Sequence, residues 1–187
     1  LSDAEMCMMF SDAIESTGIE RGDYVIRLNN RKILDGIIDS LDISGNKSGS
    51  DINLAIMRSI DKLDRLGLDG VQQLLGDGRK DDSGDYTKGA GLDSSSIKEI
   101  LLFLEYGIDS KDLSRKKSLE NLSNQFGSNT IFSEAIEELD KISSVIDIAE
   151  YDEKRIIIDP SVVRGLGYYT GPVYEADLTF NIETDDS

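Results

Sequence analysis

The sequence predicts an α+β fold: a small sheet with flanking helices, interrupted by an all-helical insertion. Three observations carry this. Strand character is confined to the two flanks of the chain, at Tyr24–Leu28 and from Arg155 onward. Between residues 46 and 150 strand-like sequence is essentially absent, and apolar residues recur at helical spacing instead. A small, polar stretch from Ser44 to Ser50 (SGNKSGS) reads as a linker between the first flank and the helical part. The expected segments are therefore 1–45, 46–150 and 151–187, with the first and last forming one sheet-containing unit.

In chain order, residues 3–16 place Met6, Met9, Phe10 and Ala13 on one helical stripe, with Asp3 able to cap the start and Gly18 closing the segment. Cys7 lies beside that stripe. No basic neighbour lowers its pKa, so it reads as a small buried hydrophobe and not as a reactive thiol. Tyr24-Val25-Ile26-Arg27-Leu28 is β-branched and aromatic and follows a Gly-Asp turn, which predicts a short strand. Asn29 to Lys32 ends it, and Ile33 to Ser40 has the pattern of a helix.

Beyond the linker, Ile56, Ile60 and Leu63 mark an amphipathic helix, and Val71 to Leu75 begins another. Ser96 with Glu99 forms a capping box ahead of Ile97, Ile100, Leu101 and Leu104. Residues 111–125 are helix-compatible but polar. Phe132, Ala135, Ile136, Leu139, Ile142 and Ile146 give the clearest helical stripe of the chain. Arg155 to Ile158 returns to strand character and Asp159-Pro160 breaks it. Residues 173–182 then alternate, with Tyr174, Ala176, Leu178, Phe180 and Ile182 on one face and Glu175, Asp177, Thr179 and Asn181 on the other.

Composition removes several function classes. Twenty basic and 37 acidic residues leave a formal charge of −17 across 187 residues, a surface that repels phosphate backbones. There is no histidine, so within this chain histidine general-base catalysis, Ser-His-Asp hydrolysis and histidine-ligated metal sites are excluded. A single cysteine precludes an internal disulfide and suits a reducing compartment, with the cytoplasm as the expected location. No apolar run approaches the roughly 18 residues of a membrane span, and no membrane partner is expected. The glycine-rich stretch Gly76–Gly91 has neither a phosphate-loop pattern nor the glutamate that an EF-hand needs, and reads as a solvated loop. No metal-ligating residues are assigned. Leu1 at the start and the polar Thr184–Ser187 stub at the end read like cuts in a longer protein.

The run Arg164-Gly165-Leu166-Gly167-Tyr168-Tyr169-Thr170-Gly171-Pro172-Val173-Tyr174-Glu175 carries the functional information. It gathers one fixed cation, two adjacent phenols and three glycines before an alternating strand. A guanidinium offers a planar fork for phosphate or carboxylate, and flanking glycine lets backbone approach a ligand closely. Alone, Arg164 reads as a surface arginine and Tyr168-Tyr169 as strand packing; together they suit a pocket for an anionic, partly aromatic ligand. Glu175 lies opposite the apolar face, facing either that pocket or solvent.

This run resembles the second signature of histidyl-tRNA synthetases, R-G-L-(D/E)-Y-Y-T-G-x-V-(F/Y)-E. Arg21 to Gly36 is similar to the family segment downstream of motif 2, Ser2-Asp3-Ala4-Glu5 to the helix start before it, and Leu74 to Leu92 to the insertion of some bacterial members. The resemblance implies part of a class II antiparallel catalytic sheet interrupted by an insertion, in an ATP- and Mg²⁺-dependent homodimeric ligase. Such an enzyme activates L-histidine and transfers it to the 3′ end of tRNA(His). On this resemblance Arg164 contacts the α-phosphate as the catalytic residue. Gly165, Leu166, Tyr168 and Tyr169 belong to the histidine and adenylate pocket, with Tyr169 nearest the imidazole. Arg79, Lys80, Lys88 and the Arg115-Lys116-Lys117 run are candidates to meet acceptor-stem phosphates.

Gly167 stands where the family usually has an acidic residue, which leaves the fine geometry of the tyrosine loop open. Family motifs 1, 2 and 3 and an anticodon-binding domain are not found, so a central fragment, inactive by itself, is expected. Two competing readings remain: a synthetase-like regulatory subunit of ATP phosphoribosyltransferase, and a non-enzymatic acidic helical interaction module.

Overall fold

Tyr24–Asn30 forms the central strand, β1, in which aromatic and β-branched residues suit a pleated surface covered on both sides. It pairs in parallel with β4 (Ile156–Ile158) and antiparallel with β5 (Pro172–Leu178), giving the order β4-β1-β5. The computed structural model describes residues 1–41, 49–109, 112–127, 129–163 and 169–180. Among these, the main sheet is mixed where a purely antiparallel one is expected. The long crossover between β1 and β4 returns the chain to the same end of the sheet, and so permits parallel pairing.

Side chains alternate along β1. Tyr24, Ile26 and Leu28 are buried toward three helices, α1 (Ser2–Ser16), α2 (Arg31–Ser40) and α7 (Thr130–Ile148). Tyr24 shares a 2.7 Å hydroxyl hydrogen bond with Ser11 of α1. The expected stripe of α1 is on the wrong face: Met6, Met9, Phe10 and Ala13 are exposed, and Ala4, Cys7 and Ser11 are buried. Small side chains let α1 lie close against the sheet, and that proximity outweighs the greater hydrophobicity of methionine and phenylalanine. Asp3 makes no side-chain cap. Gly18, at φ 94°, does follow the helix end, donating to the Glu15 carbonyl at 3.0 Å. Cys7 is fully buried, as expected of a small hydrophobe.

Helix α2 starts two residues before the expected Ile33, because Asn30 leaves the strand as an N-cap and accepts from the Lys32 amide at 3.0 Å. Against it lies α7, whose buried Phe132, Ala135, Leu139, Ile142 and Ile146 are the stripe read from sequence; Ile136 is half-buried. The two helices meet at Gly36, where a Cβ would come within 2.8 Å of the Phe132 amide nitrogen. Asn129 fixes the crossing by capping the Phe132 amide and donating to the Gly36 carbonyl at 2.6 Å.

The intervening residues form α3 (Gly49–Ile60), α4 (Leu63–Leu75), α5 (Ser94–Asp109) and α6 (Arg115–Phe126). Ile56 and Ile60 belong to α3, but Leu63 opens α4, which breaks at Gly67 (φ 63°, ψ −177°), so Val71–Leu75 lies in a second helical segment beyond the kink, close to where a new helix is expected. Most of the linker Ser44–Ser50 lies outside the described residues. The cap of α5 is Asp93, one turn before the predicted Ser96–Glu99 box: its carboxylate accepts from the amides of Ser95 and Ser96 at 2.8 and 3.0 Å. Those hydrogen bonds, with the Ser95 hydroxyl foremost, hold the Asp93 carboxyl far below the usual carboxylate range.

The insertion is not all-helical. Within the expected loop, β2 (Gly78–Lys80) and β3 (Tyr86–Lys88) form an antiparallel hairpin packed against α4. Gly78 is required there: its φ is 123°, and a Cβ would lie 2.2 Å from the Thr87 carbonyl oxygen. One continuous buried cluster joins Ile26, Leu34 and Phe132 to Ile56, Phe103 and Leu122 of the intervening helices.

Candidate functional site

The second face of the sheet carries polar groups. On β1 it presents Val25, Arg27 and Asn29, whose cross-strand partners on β5 are Asp177, Glu175 and Val173. Arg27 is only 8% exposed although it points away from the helices. Its Nε donates to Asp159 at 2.8 Å, Nη1 to Asp177 at 2.8 Å and Nη2 to the Ser161 hydroxyl at 2.8 Å, with Glu175 at 4.0 Å from Nη1. Burial opposes the charge, but the Asp159 and Asp177 carboxylates outweigh it, and the guanidinium is held above its ordinary pKa.

Asp159 is fully buried and also accepts from the amide and hydroxyl of Ser161 at 2.9 and 2.6 Å. Beside it, Asn29 donates its side-chain amide to the carbonyls of Pro160 and Val162, at 3.1 and 2.9 Å. The Asp159–Val163 segment that leaves β4 is thus held from β1 by two side chains. The Arg31 amide, at the first residue of α2, donates to the Gly171 carbonyl at 2.9 Å and continues the β1–β5 ladder past the end of β1.

Of the sequence-predicted site residues, Arg164, Gly165, Leu166 and Tyr168, together with Gly167, lie outside the described residues. Tyr169 is described and is 51% exposed. With Val162, Pro172, Val173, Tyr174 and Glu175 it lines a cavity of about 270 Å³, just below the usual range for ligand pockets. Glu175 is neither on the apolar face nor a fully solvated carboxylate: its side chain is 19% exposed and shares this cavity. Tyr174 turns its hydroxyl to the opposite side, donating to the Asp3 carbonyl at 2.8 Å, and burial pushes its phenol pKa well up. A larger cavity of about 540 Å³ lies further along this face, but Asp112, Asp152, Glu153 and Asp177 line it against Arg27 and Lys154. That balance disfavours an anionic ligand, and the Tyr169 end is the candidate site because its lining comes from the signature run itself.

Arg79 and Lys80 are not brought to this face. They lie on β2, opposite Thr87 and Tyr86, with Arg79 half-buried and Lys80 exposed. Arg115 cannot meet a phosphate: it is 1% exposed, donating to the Ile156 and Tyr151 carbonyls at 2.7 and 3.1 Å and pairing with Asp147. Lys116 and Lys117 are exposed, the latter 3.5 Å from Glu120. Sequence reasoning missed the Arg27–Asp159–Ser161 group. The available signal was an arginine in the middle of a strand, between Ile26 and Leu28, together with Asp159 at the exit of the second strand.

A family model described as histidyl-tRNA synthetase matches residues 1–177. The chain belongs to the histidyl-tRNA synthetase family. It is similar to a histidine–tRNA ligase of Jannaschia sp. (strain CCS1), 48% identical over 186 residues, covering 98% of this chain and 35% of that protein. To the histidine–tRNA ligase of Rhizobium rhizogenes it is 50% identical over 185 residues, covering 98% and 35%. The chain therefore spans about a third of the length of these curated relatives. The crystal structure of histidyl-tRNA synthetase from Nostoc sp. PCC 7120 superposes with a TM-score of 0.74 at 28% identity, covering 95% of this chain and 36% of that one. A Bacillus halodurans structure titled as an ATP phosphoribosyltransferase regulatory subunit/histidyl-tRNA synthetase gives a TM-score of 0.64 at 14% identity, covering 95% and 39%, a likeness of fold alone.

Proposed function

We propose that this chain supplies the histidine and adenylate side of the site in a histidine–tRNA ligase. The whole protein activates L-histidine with ATP and transfers it to the 3′ end of tRNA(His). The observation that carries this reading is the family match over residues 1–177, which contains the whole Arg164–Glu175 signature; its described part, from Tyr169 to Glu175, leads into β5 and lines the smaller cavity. Relatives named histidine–tRNA ligase favour it over the regulatory-subunit and interaction-module readings.

The chemistry suits such residues. A carboxylate oxygen of histidine attacks the α-phosphorus and pyrophosphate leaves; a terminal ribose hydroxyl then attacks the carbonyl carbon and AMP leaves. Neither step needs a nucleophilic side chain. The first needs two anions aligned and the growing charge on the α-phosphate neutralised, the role given to Arg164; the second needs the hydroxyl held against the acyl carbon. Tyr168 and Tyr169 line the imidazole pocket, with Gly165 and Leu166 bringing backbone close to the ligand. Mg²⁺ would neutralise phosphate charge. Among the described residues no group of three or more acidic or cysteine side chains converges to hold a metal.

Also within this reading are a homodimeric assembly, a cytoplasmic location and the division into 1–45, 46–150 and 151–187, with α7 as the joint between insertion and sheet. Arg79 and Lys80 on the hairpin meet tRNA phosphates. This chain by itself does not aminoacylate tRNA. Among the described residues, no helix is long and apolar enough to cross a membrane. Calorimetry of the full-length protein with histidine and with a histidinol-adenylate mimic tests the proposal. Selective binding of both supports a synthetase; binding of neither removes it.

A further inference from the structure

We propose that Arg27 acts, with Asp159 and Ser161, as a positioning strut for the Arg164 signature, an inference that rests on the synthetase reading above. The signature runs between two strands that do not touch each other, because β1 lies between β4 and β5. Arg27 on β1 reaches both. One edge of its guanidinium holds Asp159 and Ser161 at the exit of β4, and the other holds Asp177 on β5 with Glu175 close by. A single rigid fork thereby fixes the relative placement of the two described ends of the segment that carries Arg164 and Tyr168.

A buried ion cluster is weak evidence of stabilisation, since well-packed apolar residues often serve as well, which leaves room for a positioning role. The geometry also suits arginine: donors on three separate nitrogens of one planar fork reach three acceptors, whereas the three donors of lysine diverge from a single nitrogen. Ser161 closes the device, since its hydroxyl accepts from Arg27 and donates to Asp159. Their effect on the reaction runs through the placement of Arg164 and Tyr169.

The test uses the full-length protein and histidine-dependent ATP–pyrophosphate exchange, with kcat referred to active sites titrated as adenylate and with KM values for histidine and ATP. Arg27→Lys is expected to lower kcat roughly 10²-fold, the cost of a misplaced catalytic group, with KM for ATP little changed. Ser161→Ala, which removes one hydroxyl and leaves the charges in place, is expected to lower kcat roughly 10-fold and reads out even if the arginine variant fails to fold. A lowered thermal midpoint with kcat per active site equal to that of the parent overturns the strut and leaves only a structural ion cluster. An inactive parent enzyme overturns the synthetase reading and the strut with it.

Discussion

Glu15 and Arg155 form an ion pair at 2.8 Å that ties the last turn of α1 to the residue preceding β4. Glu15 also accepts from Arg21 Nε at 2.9 Å and from the Tyr24 hydroxyl at 2.7 Å. Arg155 in turn lies 4.4 Å over the Tyr151 ring and donates to Ser11 at 2.9 Å, so one junction joins α1, β1 and the β4 entry. Donors from Arg21 and then Tyr24 hold the Glu15 carboxyl below its ordinary value of 4.5. A depressed carboxyl pKa contributes stability that is present above the unfolded value and lost as pH falls through the folded one. Glu15→Gln is therefore expected to lower the urea midpoint at neutral pH. Its deficit relative to the parent should shrink as pH falls below about 4.5. A deficit independent of pH would contradict the assignment.

Gly36→Ala is expected to destabilise the chain by about 1–3 kcal/mol, since the new methyl must displace Phe132 backbone and side chain together. Chemical denaturation with an unchanged m-value measures it. A neutral result would mean that α2 and α7 do not pack as described.

Cys7 is fully buried, and burial pushes its thiol pKa up to about 12, with Arg115 pulling weakly in the opposite sense. The native protein should resist alkylation at mildly alkaline pH and react completely once unfolded. Mass spectrometry after timed labelling reads this, and rapid native labelling would contradict it.

These packing features differ in how legible they were. The stripe from Phe132 to Ile146 could be read directly, because a long helix against a large core buries whatever recurs at its own period. On α1 the same logic misled. Which side of a helix is buried depends on what it packs against, and the sheet admits Ala4, Cys7 and Ser11 more closely than Met9 or Phe10. The β2–β3 hairpin has no apolar alternation: Gly78-Arg79-Lys80 pairs with Tyr86-Thr87-Lys88 through backbone bonds and a glycine contact that residue-type patterns do not encode. In the candidate site, Tyr169 and Glu175 were marked by their place in the signature. Arg27 and Asp159 were not, since their partnership spans 132 positions of sequence and exists only once the strands align.

Arg79→Ala with Lys80→Ala in the full-length protein should weaken tRNA binding and reduce the slope of log affinity against log salt by roughly 1–2, as expected for the loss of one or two phosphate contacts. Fluorescence titration of tRNA across salt concentrations measures both quantities. An unchanged slope would remove the hairpin from the tRNA surface.

Histidine-dependent ATP–pyrophosphate exchange by the full-length protein carrying Arg164→Ala bears on the role of the whole signature. By analogy with the loss of a transition-state charge donor, exchange should fall about 10²–10³-fold, a barrier increase of roughly 3–4 kcal/mol, while the fold and its thermal midpoint stay close to those of the parent. Exchange at the parental rate would show that this guanidinium does not act on the phosphate, and the assignment of the site to the polar face of the sheet would fall with it.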